Sequence, residues 1–204
     1  MNAASVVVAR PSNASQLILL FHGVGSSAAN LVPLGRHIAN AIPNAIVVSV
    51  DGPHPSSMGG GREWFSVAGV TEENRPARVA QALPAFVAQV EQWQAETGLG
   101  PPQTSLVGFS QGAIMSLEST QANVLAQCVV AVAGRFAQPP RLAPQGVKFR
   151  FVHGDLDGVI SPHFSQEAAE RLRSLGSDGY AQIVPDLGHG IDARAAQGVV
   201  EALA

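Results

Sequence analysis

Seven short apolar runs punctuate the chain, at Ser5–Ala9, Leu17–Phe21, Ala45–Val50, Thr104–Val107, Cys128–Ala133, Val147–Val152 and Tyr180–Val184. Several are continuous rather than alternating, as expected of strands buried on both faces of a sheet. Between them the spacing becomes helical. Leu31, Leu34, Ile38 and Ile42 mark a helix over 30–41, and Val79, Leu83, Phe86, Val90 and Trp93 mark one over Pro76–Glu96. That second helix is expected to take Asn74 as its N-cap and to kink at Pro84. A helix-compatible stretch runs from Gln111 to Gln121. Ser161-Pro162 opens a helix with Phe164, Ala168, Leu172 and Leu175 inward, and the last helix turns Ile191, Ala195, Val199 and Leu203 inward. Strands alternating with helices predict a single α/β domain over 1–204, with a mostly parallel central sheet of about seven strands and helices on both faces. Ligands bind such sheets at the carboxyl ends of the strands.

One connection breaks this rhythm. Asp51 to Asn74 is a long loop that carries Trp64, Phe65, Val67 and Val70. A loop of this length in a compact domain is usually functional, and these four side chains are expected to form a wall of a substrate pocket. Gly59-Gly60-Gly61 within it is no phosphate cradle, because no G-K-[ST] follows.

Composition narrows the classes. The chain has 204 residues, 46% hydrophobic and 13% charged, with a net charge of −3 and no basic block, so nucleic acid is not an expected partner. No apolar stretch approaches the ~20 residues of a membrane span. The Met1–Ser5 segment carries no basic residue and Val6–Ala9 is too short for a signal-peptide core, so the expected location is cytoplasmic. Cys128 is the only cysteine and lies in an apolar run, which reads as a buried structural thiol.

Four segments fall at predicted strand ends: His22-Gly23-Val24-Gly25, Gly108-Phe109-Ser110-Gln111-Gly112, the loop holding Asp155 and Asp157, and Gly188-His189-Gly190. The second is G-x-S-x-G between strand and helix, the setting of a nucleophile elbow. A serine hydroxyl needs a base, and the base needs a carboxylate to fix its tautomer. His189 is the favoured base of six histidines. His37 and His163 fall on helices and His54 on the long loop, while His22 and His153 end strands and are expected to be held by backbone hydrogen bonds. Asp157 is favoured as the acid over Asp155, which is expected to brace its own loop, and over Asp186, which lies close to His189 in sequence. Donors for an oxyanion are expected from the amides of Gln111 and Val24.

These motifs, together with Arg62-Glu63-Trp64-Phe65 and His153-Gly154-Asp155-Leu156-Asp157, resemble the carboxylesterase/phospholipase branch of the α/β-hydrolases, which includes acyl-protein thioesterases and small bacterial serine esterases of the YpfH type. The resemblance spans nearly the whole chain. It implies the α/β-hydrolase fold without a lid domain, Ser110, Asp157 and His189 as catalytic triad, Val24 and Gln111 as oxyanion donors, and no metal or cofactor. Many relatives have proline after the catalytic aspartate, where this chain has Gly158. The implied activity is hydrolysis of small-molecule carboxylic esters of short to medium acyl chain, by a monomer or homodimer. Acyl-protein thioesterase or lysophospholipase activity uses the same machinery. A non-catalytic binding protein on the same scaffold would be expected to have lost a triad member, and none is missing. A histidine base implies turnover that falls in mild acid.

Overall fold

A computed structural model describes residues 5–204. The strands are β1 (Val6–Ala9), β2 (Gln16–Phe21), β3 (Ala45–Val50), β4 (His54–Pro55), β5 (Arg62–Glu63), β6 (Thr104–Phe109), β7 (Cys128–Val132), β8 (Lys148–Gly154) and β9 (Asp178–Val184). The helices are α1 (Val32–Ala41), α2 (Arg75–Thr97), α3 (Gln111–Ser119), α4 (His163–Ser174) and α5 (Ala193–Leu203). The main sheet has seven strands in the order β1-β3-β2-β6-β7-β8-β9, with only β1 antiparallel to its neighbour. This is the expected α/β-hydrolase architecture, a mostly parallel sheet with a helix layer on each face.

The pleat of β2 shows how the layers form. Leu17, Leu19 and Phe21 face the side covered by α2, α3 and α4, where they join Phe86, Met115 and Leu172. Ile18 and Leu20 face the other side and pack with Ile38 of α1 and Val199 of α5. Both faces are sealed, so the strand needs no polar positions. The adjoining strand β6 pairs with β2 and β7, which puts Ser110 at the centre of the sheet's carboxyl edge.

Several local expectations are corrected. Asn74 stands at the N-cap of α2 without capping it; its Oδ1 accepts from the Thr71 amide instead, which ties up the preceding turn. Helix α2 contains Pro84, as expected. Phe164 is only half-buried and stands outside the core, whereas Ser165, Ala168, Ala169 and Leu172 form the inner face of α4. Inside the long loop, β4 and β5 pair as a short hairpin that the sequence pattern does not announce. Cys128 is buried as expected, and burial pushes its thiol up to about 11.

Candidate active site

Strand β6 ends at Phe109, and the next residue, Ser110, adopts φ 52° and ψ −112° before α3 begins. A positive φ is uncommon outside glycine and persists only when its surroundings hold it. Here the Ser110 amide donates to the Val132 carbonyl at the end of β7, and its carbonyl accepts from Ile114 in the first turn of α3. The two motif glycines make the turn sterically possible. A Cβ on Gly112 would collide with the Phe21 carbonyl, and one on Gly108 would collide with the backbone of Gly112 and Ala113. Every residue of α3 is buried, so the helix is clamped from all sides.

Three strand ends meet at this serine. Ser110 Oγ lies 2.9 Å from His189 Nε2, and His189 Nδ1 lies 2.7 Å from Asp157 Oδ2. His189 follows β9 and Asp157 follows β8, and the two strands pair in parallel through His153–Ile183 and Gly154–Val184. The Asp157 side chain is fully buried. Its Oδ1 accepts from the amides of Val159 (2.8 Å) and Ile160 (2.9 Å). Burial pushes the carboxyl up, but the His189 hydrogen bond and these two amides outweigh it and hold it below the usual carboxylate range. Asp155, by contrast, is exposed, and its side chain makes no hydrogen bond among the described residues; Asp157 itself braces the loop. Asp186 is exposed, at φ 55° in the turn before His189.

Asp157 serves a second histidine, which sequence reasoning placed in a purely structural role. His153 Nε2 lies 3.1 Å from Asp157 Oδ2 and 2.9 Å from the Ile160 carbonyl, while its Nδ1 lies 2.7 Å from Ser165 Oγ. Burial pushes the His153 pKa down, against the Ile160 carbonyl and Asp157, which raise it. The neutral ring then donates from Nε2 and accepts the Ser165 hydroxyl proton at Nδ1. The only signal in the sequence is the i, i+4 spacing of His153 and Asp157 in one loop.

The loop after β2 reaches the same point. His22 Nδ1 donates to the Gly23 carbonyl (2.7 Å) and Nε2 accepts from the Gly52 amide (2.9 Å), so this strand-end histidine is tied to backbone on both nitrogens. Burial lowers its pKa and keeps the ring neutral. Gly25 donates to the Arg62 carbonyl, which anchors the loop to β5. A Cβ on Gly23 would come within 3.3 Å of the Ser110 Cβ, so this backbone lies directly against the serine. The Val24 amide donates to no backbone carbonyl among the described residues. The Gln111 amide opens α3, where the first N–H groups have no partner within the helix.

The side chain of Gln111 has a separate task. Its Oε1 accepts from the Trp64 amide (2.8 Å) and its Nε2 donates to the Phe65 carbonyl (2.7 Å), which clamps the long loop onto the elbow. Phe65, Val67 and Val70 line a cavity of about 300 Å³ that also contains Val24, Ser110 and Gln111. Trp64 does not line it. Its ring is buried in the core against Phe21 and Phe86, and its Nε1 donates to the His22 carbonyl (2.8 Å). An aromatic with a polar edge serves here as a pillar under the loop after β2, which corrects its expected place in the pocket wall. Among the described residues, no three His, Cys, Asp or Glu side chains group as metal ligands, and no helix is long and apolar enough to cross a membrane.

Known proteins resemble this chain in sequence and in fold. The chain is 46% identical over 193 residues to esterase YpfH of Escherichia coli (strain K12), covering 94% of this chain and 83% of that one. The fold matches the crystal structure of esterase PE8 with a TM-score of 0.89 at 30% identity, over 99% of this chain and 97% of that one. A carboxylesterase from Mesorhizobium loti superposes with a TM-score of 0.80 at 22% identity, over 98% and 92% of the two chains. The protein is a carboxylic ester hydrolase of the serine-esterase type. The phospholipase/carboxylesterase family model matches residues 2–204, and the chain belongs to that family of α/β-hydrolases.

Proposed function

We propose that the chain works as one catalytic domain, monomeric or homodimeric, that cleaves carboxylic esters of short to medium acyl chain through an acyl-enzyme on Ser110. The observation that carries this reading is the hydrogen-bonded line Ser110–His189–Asp157, whose Ser110 end lines the cavity. Ser110 Oγ attacks the acyl carbonyl while its proton passes to His189 Nε2. Asp157 holds the His189 tautomer and stabilises the imidazolium. The carbonyl oxygen, now negative, accepts from the Val24 and Gln111 amides, and one such donor is worth about 3–4 kcal/mol of barrier. Collapse of this intermediate expels the alcohol, which takes the proton from His189. A water then gives a proton to His189 and attacks the acyl-enzyme. Release of the acid returns the proton to Ser110 Oγ. The cavity volume and the apolar walls suit a short to medium chain.

Labelling with a fluorophosphonate tests the nucleophile. A single adduct on Ser110, absent in Ser110→Ala, is expected, and Ser110→Ala should lose at least about 10³ in kcat. Labelling that survives Ser110→Ala would overturn the assignment. Rates on p-nitrophenyl esters of increasing length should peak at short to medium chains, and a maximum at long chains would overturn the chain-length reading. Parallel rates on acyl thioesters place the leaving-group preference.

A further inference from the structure

The cavity at Ser110 is not apolar throughout. Beyond Phe65, Val67, Val70 and Ile114 it is lined by Glu72, Arg75 and Arg135. The two guanidinium groups are mostly buried, with side chains 16% and 11% exposed, whereas the Glu72 side chain is 67% exposed. Arg135 follows Gly134, where an added Cβ would come within 3.3 Å of the Ser110 carbonyl, and Arg135 and Ser110 line the same cavity. Its guanidinium lies flat over the Phe164 ring, 3.7 Å from the centroid, and its Nε donates to the Phe136 carbonyl (3.1 Å). Stacking and backbone hydrogen bonding leave the outer edge of the fork facing Glu72. That carboxylate accepts one hydrogen bond from Arg135 Nη1 (3.2 Å) and one from Nη2 (2.8 Å). Arg75 Nη1 approaches the same carboxylate to 2.6 Å, yet at an angle that makes no hydrogen bond, which leaves a buried donor unpaired.

Two fixed, buried cations thus share one exposed anion on the lip of the catalytic cavity. The Arg75 guanidinium beside it, with Arg135 adding to the effect, holds the Glu72 carboxyl below its usual range. A rigid guanidinium fork is suited to bidentate carboxylate recognition. From these observations we infer that Arg135 and Arg75 form a carboxylate-binding subsite, occupied here by the protein's own Glu72, which selects ester substrates bearing a carboxylate at the far end of the part that fills the cavity. This inference rests on the esterase reading above. The carboxylate can belong to the acyl part, as in a monoalkyl ester of a dicarboxylic acid, or to the alcohol part, as in an acyl ester of a hydroxy acid. The subsite chemistry is the same.

The experiment compares kcat/KM, by pH-stat titration, for monomethyl adipate and its neutral carboxamide analogue methyl adipamate. A second arm uses the acetyl ester of a hydroxy acid against its amide. The anionic substrate of at least one pair should be favoured by about tenfold, the scale of one charge-assisted hydrogen-bond pair. Arg135→Gln should lower that ratio about tenfold and Arg75→Gln should lower it less, whereas Glu72→Gln should raise it by removing the competing carboxylate. Opposite signs for Glu72→Gln and Arg135→Gln separate a subsite from a structural clasp, since breaking a clasp from either side has one effect. Ratios at or below one in both arms, or shifts of the same sign in the two variants, overturn the inference while leaving the esterase reading intact. Absence of turnover on all four esters together with no fluorophosphonate adduct on Ser110 overturns both. If Arg135→Gln does not fold, Arg75→Gln and Glu72→Gln must still move the ratio in opposite directions.

Discussion

The two sides of the cavity are built by different means. On one side, Ser110, Asp157 and His189 stand at the ends of β6, β8 and β9, and their separations are set by parallel ladders and a buried helix. On the other, Phe65, Val67 and Val70 belong to a loop whose own sheet is two residues deep. That loop is held by side chains of the scaffold and by one of its own. Gln111 grips Trp64 and Phe65, Arg78 of α2 donates to the carbonyls of Ser66, Ala68 and Gly69, and buried Glu63 receives the amide and hydroxyl of Ser57. The sheet side has few ways to move without unfolding. The loop side is held by individual side-chain hydrogen bonds. In the proposed mechanism, chemistry therefore sits where geometry is collective, and selectivity where it is local.

This contrast can be broken at its strongest point first. Asp157→Asn should lower kcat by about 10⁴, because an uncharged partner misorients the base, while Asp155→Asn should stay near wild type. A larger loss at Asp155 than at Asp157 would move the acid and dissolve the sheet-side account. On the loop side the effect should be graded. Gln111→Leu leaves the Trp64 amide and Phe65 carbonyl without partners, and should cost about 2 kcal/mol in chemical denaturation with a drop of roughly tenfold in kcat/KM. Denaturation midpoints equal to wild type would show that the loop is held elsewhere.

The smallest effect concerns the second histidine on Asp157. Burial holds the His153 pKa below the histidine reference of about 6.5. Between that folded value and about 6.5 the unfolded chain binds the additional proton, so stability is complete above about pH 6.5 and falls as pH drops through the window. His22 carries a shift in the same direction. Melting temperature recorded from pH 8 to pH 5 should therefore decline in acid, and His153→Gln should flatten part of that slope while lowering kcat several-fold by loosening Asp157. An unchanged slope in the variant would remove His153 from the account.

How much of this was legible in the sequence follows the same division. Strands sealed on both faces write themselves as continuous apolar runs, so β2, β3 and β7 and their order of use were plain. Residues at strand ends were legible too, because parallel topology brings all carboxyl ends to one edge, and Ser110, Asp157 and His189 come together there. The loop was legible as important but not in its directions. Nothing local distinguishes Trp64, which turns into the core, from Phe65, which lines the cavity. Their opposite fates follow from a backbone pinned by Gln111, a contact spanning tens of residues. The pairing of Glu72 with Arg135 has the same origin, since only the folded sheet brings the loop before α2 beside the turn after β7. Asn74 failed as a cap because the turn ahead of α2 competed for its side chain.

The order in which the strands are synthesised gives the site a timing. Ser110 leaves the ribosome with β6, whereas His189 follows β9, the strand at the far edge of the sheet. Until β9 docks beside β8, the serine has no base and is an ordinary alcohol. In the proposed mechanism, hydrolytic power is thus withheld from every incomplete chain, and a nascent polypeptide carries its nucleophile unarmed until the last strand is in place.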